Sequence, residues 1–192
     1  MAAGAEPDAS LVEALIARCA VEPDFFVRDM LTWALTRFPT HFTVPRLIRE
    51  LGSDHPQARS QALHTLSKLR DPSAYPSITR ALLRDPNDDV AQSAWRAAVV
   101  LVPELQKDRL AEELASQFGR GGRALQLSLS RALVALGAQV TEPVLNAAMA
   151  SEVPGVRAHA GATRQLLDDP NAAFELSVQE ARRQYAIKDR PA

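Results

Sequence analysis

Residues 44–90 read VPRLIRELGSDHPQARSQALHTLSKLRDPSAYPSITRALLRDPNDDV. Within this stretch, residues 58–69 carry small or apolar side chains at the first, fifth, ninth and twelfth places. That spacing puts them on one side of an α-helix. Residues 52–56 and 85–89, rich in Gly, Pro, Asp and Asn, interrupt the helical pattern on either side, as breakers between helices do. The stretch therefore predicts a helix, a turn and a second helix, followed by the beginning of the same arrangement.

The twelve-place pattern recurs along the chain. The five windows begin at Val27, Ala58, Val90, Leu125 and Val156, with successive starts 31 to 35 residues apart. Each window follows a turn and a less regular helical segment. The repetition predicts five helical pairs, at about residues 10–38, 43–70, 73–102, 103–137 and 141–168. Their leading helices are expected to have a proline at or near the start in four of the five pairs, at Pro45, Pro76, Pro103 and Pro143.

Residues 171–186 follow the last pair and carry apolar side chains on one face. We expect them to form a terminal capping helix, because an end repeat has to cover its apolar face and show a polar one to water. Thr65, Thr163 and Arg164 depart from the apolar pattern of their windows. The last repeat is therefore expected to be the least regular.

Composition limits the class of protein. The chain has 192 residues, of which 46% are hydrophobic but only 5% aromatic, so Ala, Leu and Val are expected to build a closely packed helical core. A net charge of −1 disfavours a general binder of polyanions, because phosphate contacts need an excess of Lys and Arg. Cys19 is the sole cysteine, which excludes an intrachain disulfide. With no signal peptide or membrane-spanning run in the sequence, we predict a cytoplasmic protein without membrane contact.

Residues 44–90, and more weakly residues 11–167, resemble the HEAT-repeat family, in particular the short bacterial form also found in phycobilisome-lyase-like proteins. The resemblance implies an all-α fold, a right-handed α-solenoid of about five helical hairpins in a single domain over residues 1–192. The period is shorter than the roughly 40 to 47 residues of eukaryotic HEAT or armadillo units, and the tetratricopeptide and ankyrin patterns are absent. In related solenoids the second helix of each pair lines the concave surface.

The candidate binding residues lie on these second helices. The seventh place of the first four windows carries Trp33, His64, Arg96 and Arg131, which we call the seventh-place stripe. Asp29, Arg37 and Lys68 stand near it at the third and eleventh places. Trp and Arg are common interface anchors, so we predict that the stripe binds a protein or peptide, an acidic one included. The alternative is that Trp33 packs within its own repeat and that the arginines are simply solvated.

A second set of arginines recurs at a fixed place. Arg28, Arg59 and Arg157 share the second place of their windows, and Asp24, Asp54 and Glu152 precede them in the turns. The recurrence predicts a ladder of ion pairs and hydrogen bonds between repeats.

Neither a metal site nor a catalytic set is predicted. The four histidines, His41, His55, His64 and His159, occupy unlike places in the repeats, and none is followed by Glu. The iron-binding HEAT hydroxylases, by contrast, carry paired His-Glu dipeptides on their repeats. Cys19 lies on an apolar helix face and is expected to pack as a small hydrophobic residue. We therefore expect no catalytic residue, no metal and no cofactor.

The leading functional hypothesis is a protein-interaction scaffold rather than an enzyme. A nucleic-acid-binding protein of the HEAT-like DNA glycosylase kind is the first alternative, and the near-neutral charge disfavours it. A bilin lyase-like activity is the second alternative. It rests on the resemblance of the repeat alone, because no nucleophile with an activating base is evident in the sequence.

Overall fold

The computed structural model describes residues 9–169, and every regular element in that range is helical. The helices are α1 (Ala9–Val21), α2 (Phe25–Leu35), α3 (Thr40–Glu50), α4 (Pro56–Leu69), α5 (Arg80–Leu83), α6 (Asp88–Leu101), α7 (Lys107–Ala115), α8 (Arg123–Ala135), α9 (Ala138–Met149) and α10 (Pro154–Asp168). Short 3-10 helices, Pro72–Ser77 and Glu104–Gln106, precede α5 and α7. The all-α class is confirmed. Helices α1 and α2, α3 and α4, α5 and α6, and α9 and α10 pack in pairs, whereas the fifth predicted pair, α7 with α8, stays a prediction. The expected capping helix, residues 171–186, lies outside the described residues.

The chain groups into two compact units, Met1–Glu113 and Leu114–Ala192. The first unit holds α1 to α6 and most of α7, and the second holds α8 to α10. A single domain over residues 1–192 stays a prediction.

The core of the first unit lies where α4 packs against α6. Leu66 and Ala98, both at the ninth place of their windows, are fully buried there as the apolar stripe predicts. Leu63, at the sixth place and outside the predicted stripe, is fully buried too. Trp95 is fully buried as well, and its indole Nε1 donates a hydrogen bond of 2.8 Å to the carbonyl of Leu83. Small residues such as Ala98 allow the two helices to approach closely, which is why so few aromatic residues suffice for this core.

The leading helix predicted for the third pair, residues 73–102, is broken in the structure. The 3-10 helix ends at Ser77, and α5 begins only at Arg80, where the Thr79 side chain accepts a hydrogen bond from the Leu82 amide. Pro76 lies inside the 3-10 helix and has no amide hydrogen for an α-helical bond. The prediction of a continuous helix was therefore wrong here.

Two other prolines lie deeper in their helices than predicted. Pro45 and Pro143 are interior to α3 and α9, because these helices begin at Thr40 and Ala138. An interior proline removes a backbone hydrogen bond and costs about 3 kcal/mol. In α3, the burial of neighbouring side chains such as Val44 offsets that cost.

The polar departure at Thr65 is explained by a hydrogen-bonded cluster between successive second helices. Gln61 donates its side-chain amide to Thr32 Oγ1 at 2.8 Å, and the Thr32 and Thr65 hydroxyl oxygens are 3.4 Å apart. Thr65 in turn donates to the Gln61 carbonyl at 2.9 Å. Each buried hydroxyl therefore has a partner, as burial of polar groups requires.

The second unit repeats this cluster at the same places of its windows. Ser130 and Thr163 place their hydroxyl oxygens 2.7 Å apart, and Thr163 donates to the His159 carbonyl at 2.9 Å. His159 occupies the place of Gln61, with its Nε2 3.1 Å from Ser130 Oγ and 2.9 Å from the Gln126 carbonyl. Because the Gly119 amide donates to Nδ1 at 3.1 Å, the ring hydrogen is on Nε2. The polar residues at these places are therefore structural in both units.

The second-place arginines bind the turns of their own repeats. Arg28, Arg59 and Arg157 each donate from Nη1 to the carbonyl six residues earlier, at 2.8, 2.8 and 2.7 Å respectively. Of the three, only Arg59 also forms an ion pair across repeats among the described residues, and its partner is Asp85 rather than Asp54. The predicted ladder of ion pairs between repeats was thus wrong for Arg28 and Arg157. Each arginine instead donates to the main-chain carbonyl six residues earlier, and this acceptor is present whichever side chain the turn carries.

Candidate functional site

An open groove of about 530 Å³ lies in the first unit on the second helices α2, α4 and α6. Its lining residues lie in the first two turns of α2 and in the first three turns of α4 and α6. Asp29 on α2, His64 on α4 and Arg96 on α6 all line it. These three residues were predicted as binding residues from the sequence, and the structure brings them to one surface.

The ends of these helices are fixed by side-chain caps. Asp24 accepts hydrogen bonds from the Phe26 and Val27 amides at the start of α2. Asn87, which lines the groove, accepts from the Asp89 and Val90 amides at the start of α6, at 3.1 and 3.2 Å. The caps satisfy amide groups that a helix leaves unpaired in its first turn. The caps therefore fix the residue at which α2 and α6 begin, and with it the position of the groove-lining side chains in their first turns.

Hydroxyl and amide groups form much of the groove wall. The hydroxyl oxygens of Ser60 and Ser93 lie 2.9 Å apart. The Ser60 hydroxyl also donates a hydrogen bond of 3.3 Å to the Asp89 carbonyl. Gln57 donates its side-chain amide to the carbonyls of Cys19 and Glu22, at 3.1 and 2.8 Å. The wall thus combines positioned hydrogen-bonding groups with apolar surface such as the Phe25 ring.

His64 lines the groove from α4, which follows α2 and precedes α6 among the three second helices, and is only partly exposed. Burial lowers its pKa, and the charges of Lys68 and Arg96 lower it further, whereas Asp29 opposes them. Its Nε2 is 3.9 Å from Asp29 Oδ1, which is beyond hydrogen-bond distance. At neutral pH the ring is therefore uncharged and has one nitrogen to donate and one to accept.

Arg96 is the exposed cation of the groove on α6. Its Nε donates to the Gln92 carbonyl of the same helix at 3.2 Å. Its two terminal nitrogens have no hydrogen-bond partner among residues 9–169, so the guanidinium can still donate two parallel hydrogen bonds to a carboxylate. Asp29 and Asp89 bring negative charge to the same groove, so the surface carries both signs and is not simply cationic.

The other predicted binding residues lie off the groove lining. Trp33 is 56% exposed, so it is not packed into the core of its repeat. The Arg37 guanidinium lies over the Trp33 ring, 5.2 Å from its centroid. Lys68 is exposed one turn beyond His64, and Arg131 is exposed on α8 in the second unit.

Several groove-lining residues were not predicted. They are Phe25, Gln57, Asn87, Asp89 and Ser93. Most lie in or just before the first turn of a second helix, ahead of the seventh place on which the prediction was based. An alignment of the turns together with the twelve-place windows would have brought them into view.

The described residues also limit the chemistry of this site. Within residues 9–169, no three His, Cys, Asp or Glu side chains come close enough together to hold a metal ion. No helix in the same range combines the length and apolar character needed to cross a membrane.

Known protein families and solved structures contain the same kind of helical repeat as this chain. Residues 12–98 match a family model described as HEAT repeats, which confirms the predicted resemblance. Fourteen chains of solved structures match, among them one from the complex of CpcE and CpcF of phycocyanin lyase from Nostoc sp. PCC7120. That match has a TM-score of 0.52 and 22% sequence identity, and covers 88% of this chain and 69% of the other. It shows the fold alone. No curated protein matches the sequence significantly.

Proposed function

We propose, from the premise that residues 12–98 form HEAT repeats, that the chain is a protein-binding module whose groove receives a segment of a partner protein. One observation carries the proposal. Three successive second helices present Asp29, His64 and Arg96 to the same open groove.

The dimensions of the groove suit an extended peptide. Neighbouring packed helices lie about 8 to 10 Å apart, so three of them span roughly 16 to 20 Å. An extended chain rises about 3.4 Å per residue, which makes this the length of five or six residues. Such a segment needs donors and acceptors for its own amides, and the side chains of Ser60, Ser93 and Gln57 supply polar groups along the wall.

The charges give the segment a direction. Arg96 on α6 offers its terminal nitrogens to a carboxylate, whereas Asp29 on α2 repels one. His64 between them is neutral and can bond to main-chain or side-chain polar groups. We therefore expect a segment with an acidic residue over α6 and a basic or neutral polar residue over α2.

A random twelve-residue peptide library displayed on phage tests this proposal. Peptides enriched on the protein should be labelled and their affinity measured by fluorescence anisotropy. Replacing Arg96→Glu should weaken binding by about tenfold or more, because loss of a forked ion pair and introduction of repulsion together exceed 1.4 kcal/mol. Arg109→Glu, which changes an exposed arginine of α7 outside the groove, is the matched control and should leave the affinity unchanged.

The opposing outcomes are distinct. Failure to enrich any peptide, or enriched peptides that bind the Arg96→Glu and Asp29→Lys variants as tightly as the original protein, would contradict the proposal. A gel shift on duplex DNA at low salt that disappears in the Arg96→Glu variant would favour nucleic-acid binding instead.

A further inference from the structure

Helix α2 exposes a stripe of large apolar side chains. Phe26 is 78% exposed, Met30 62% and Trp33 56%, and Arg37 follows on the same side just beyond the helix end. Exposed apolar residues are ordinary when scattered, but a contiguous row of them marks an interaction surface. We call these four residues the α2 seam.

The place of Met30 in the repeat explains what the α2 seam would pack against. Met30 holds the fourth place of its window, as do Gln61 and His159 in theirs. Those two side chains bond to the second helix of the preceding repeat, at Thr32 and Ser130. Within the described residues no repeat precedes α2, so its equivalent surface faces outward. A helix stacked on the α2 seam would thus continue the packing seen between repeats.

The spacing along the α2 seam selects the kind of helix. Phe26, Met30, Trp33 and Arg37 are separated by four, three and four residues, which is the spacing of a coiled-coil seam. The spacing of four, three and four residues is the same in either chain direction, so the α2 seam also matches an antiparallel copy of itself. An antiparallel second copy of α2 therefore places Met30 against Trp33 of the other copy, and Phe26 against Arg37 of the other copy.

The side-chain chemistry agrees with the antiparallel arrangement. The Met30 thioether is suited to contact with an indole ring, and the Arg37 guanidinium, already stacked on Trp33, can also face the Phe26 ring of the second copy. A parallel arrangement would instead bring Arg37 against Arg37, which is repulsive. A two-fold contact also closes on itself and forms no open polymer.

We infer that two copies of this chain associate through antiparallel packing of their α2 seams. The exposed parts of Phe26 and Trp33 together offer roughly 300 Å² in each copy, and Met30 adds to this. That area is below the roughly 1,200 Å² total of a standard stable interface, so the dimer is weak and depends on protein concentration.

Sedimentation equilibrium of the full chain over about 5 µM to 1 mM tests the inference, because this range brackets a weak dimer. The chain should change from monomer to dimer across it, and Met30→Glu and Phe26→Glu should each remain monomeric. Both replaced side chains are exposed, so the fold is retained, as circular dichroism can verify. Leu105→Glu is the matched control, since Leu105 is 98% exposed outside the α2 seam; that variant should dimerise like the original chain.

Tryptophan fluorescence gives a second readout. Trp95 is fully buried, so a change of emission with concentration reports on Trp33. The emission should shift to shorter wavelength as dimers form and should not shift in the Met30→Glu variant. A chain that is monomeric throughout, a dimer that persists in both Glu variants, or a Trp33 already shielded at the lowest concentration would each overturn the inference. Peptide binding in the groove is a separate property, and the Met30→Glu variant should retain it.

Discussion

Arg59 donates two hydrogen bonds to the Asp85 carboxylate of the next repeat, from Nε to Oδ2 at 3.1 Å and from Nη2 to Oδ1 at 3.2 Å. The remaining nitrogen, Nη1, donates to the Ser53 carbonyl at 2.8 Å. The side chains are only 16% and 8% exposed. One arginine thus ties the turn before α4 to the turn before α6, and both helices line the groove.

Replacing Arg59→Met should lower the free energy of unfolding by about 2 to 4 kcal/mol, because the partly buried Asp85 carboxylate would lose its hydrogen bonds to the guanidinium. Urea denaturation followed by circular dichroism measures the loss. Arg157→Met is the control: Arg157 is exposed and bonds to a single carbonyl, so it should cost about 1 kcal/mol or less. Equal losses in the two variants would show that the fork to Asp85 contributes nothing.

The buried hydroxyl clusters predict a second effect. Thr163→Val should destabilise the protein by about 1 to 3 kcal/mol, because Ser130 would lose the acceptor 2.7 Å from its hydroxyl. The double variant Ser130→Ala with Thr163→Val should cost less than the sum of the single changes, since both hydroxyls are then gone. Strictly additive losses in urea denaturation would argue against a coupled cluster.

The pH dependence of stability follows from His159. Burial lowers its pKa below the ordinary value, and the Gln126 carbonyl opposes the shift only in part. The unfolded chain therefore takes up a proton more readily than the folded one. Stability is fully present above about pH 6.5 and is lost as the pH falls below it.

Unfolding measured at about pH 7.5 and about pH 5, on either side of the ordinary pKa, checks this expectation. The decrease in the free energy of unfolding on acidification should be smaller in the His159→Gln variant. The decrease that remains in this variant should include a contribution from His64, whose pKa is also lowered. His55→Gln replaces an exposed histidine and should leave the loss unchanged. Stability that rises towards acid pH would have the opposite sign to the one expected.

Cys19 provides a probe of local opening in the first unit. It is buried on α1, and burial raises the pKa of its thiol to about 11. Only the thiolate attacks a disulfide reagent, so the folded protein should react slowly at about pH 8. The reaction should accelerate in urea in step with unfolding. Rapid reaction of the folded protein, at the rate of the unfolded chain, would mean that α1 is not packed as described.

The helical pairs could be predicted because the period of the apolar residues is strong. Leu66 and Ala98 occupy the same place in their windows and are both buried where α4 meets α6. The break at Ile78 could not be foreseen from that period, because it depends on how Pro76 and Thr79 satisfy the local backbone. Periodicity reports which face is buried and says little about such short-range bonding.

The candidate site was predicted in part. His64 and Arg96 share a place in the repeat, and stacking brings both to the groove. Trp33 has the same place, yet it is not among the groove-lining residues and is 56% exposed. Thr65 looked like a fault in the pattern and is in fact a hydrogen-bonded core residue. The partner of Thr65 is Thr32 in the preceding repeat, and the pattern within one window does not predict such a contact.

The most direct measurement is an NMR titration of the labelled protein with a peptide selected from the library. Amide shifts should change for residues of the groove, foremost Asp29, Ser60, His64 and Arg96, and should stay constant along the outer face of α2 at Met30. Changes confined to the second unit, or centred on Met30 and absent from Arg96, would contradict the assignment of the groove as the binding surface.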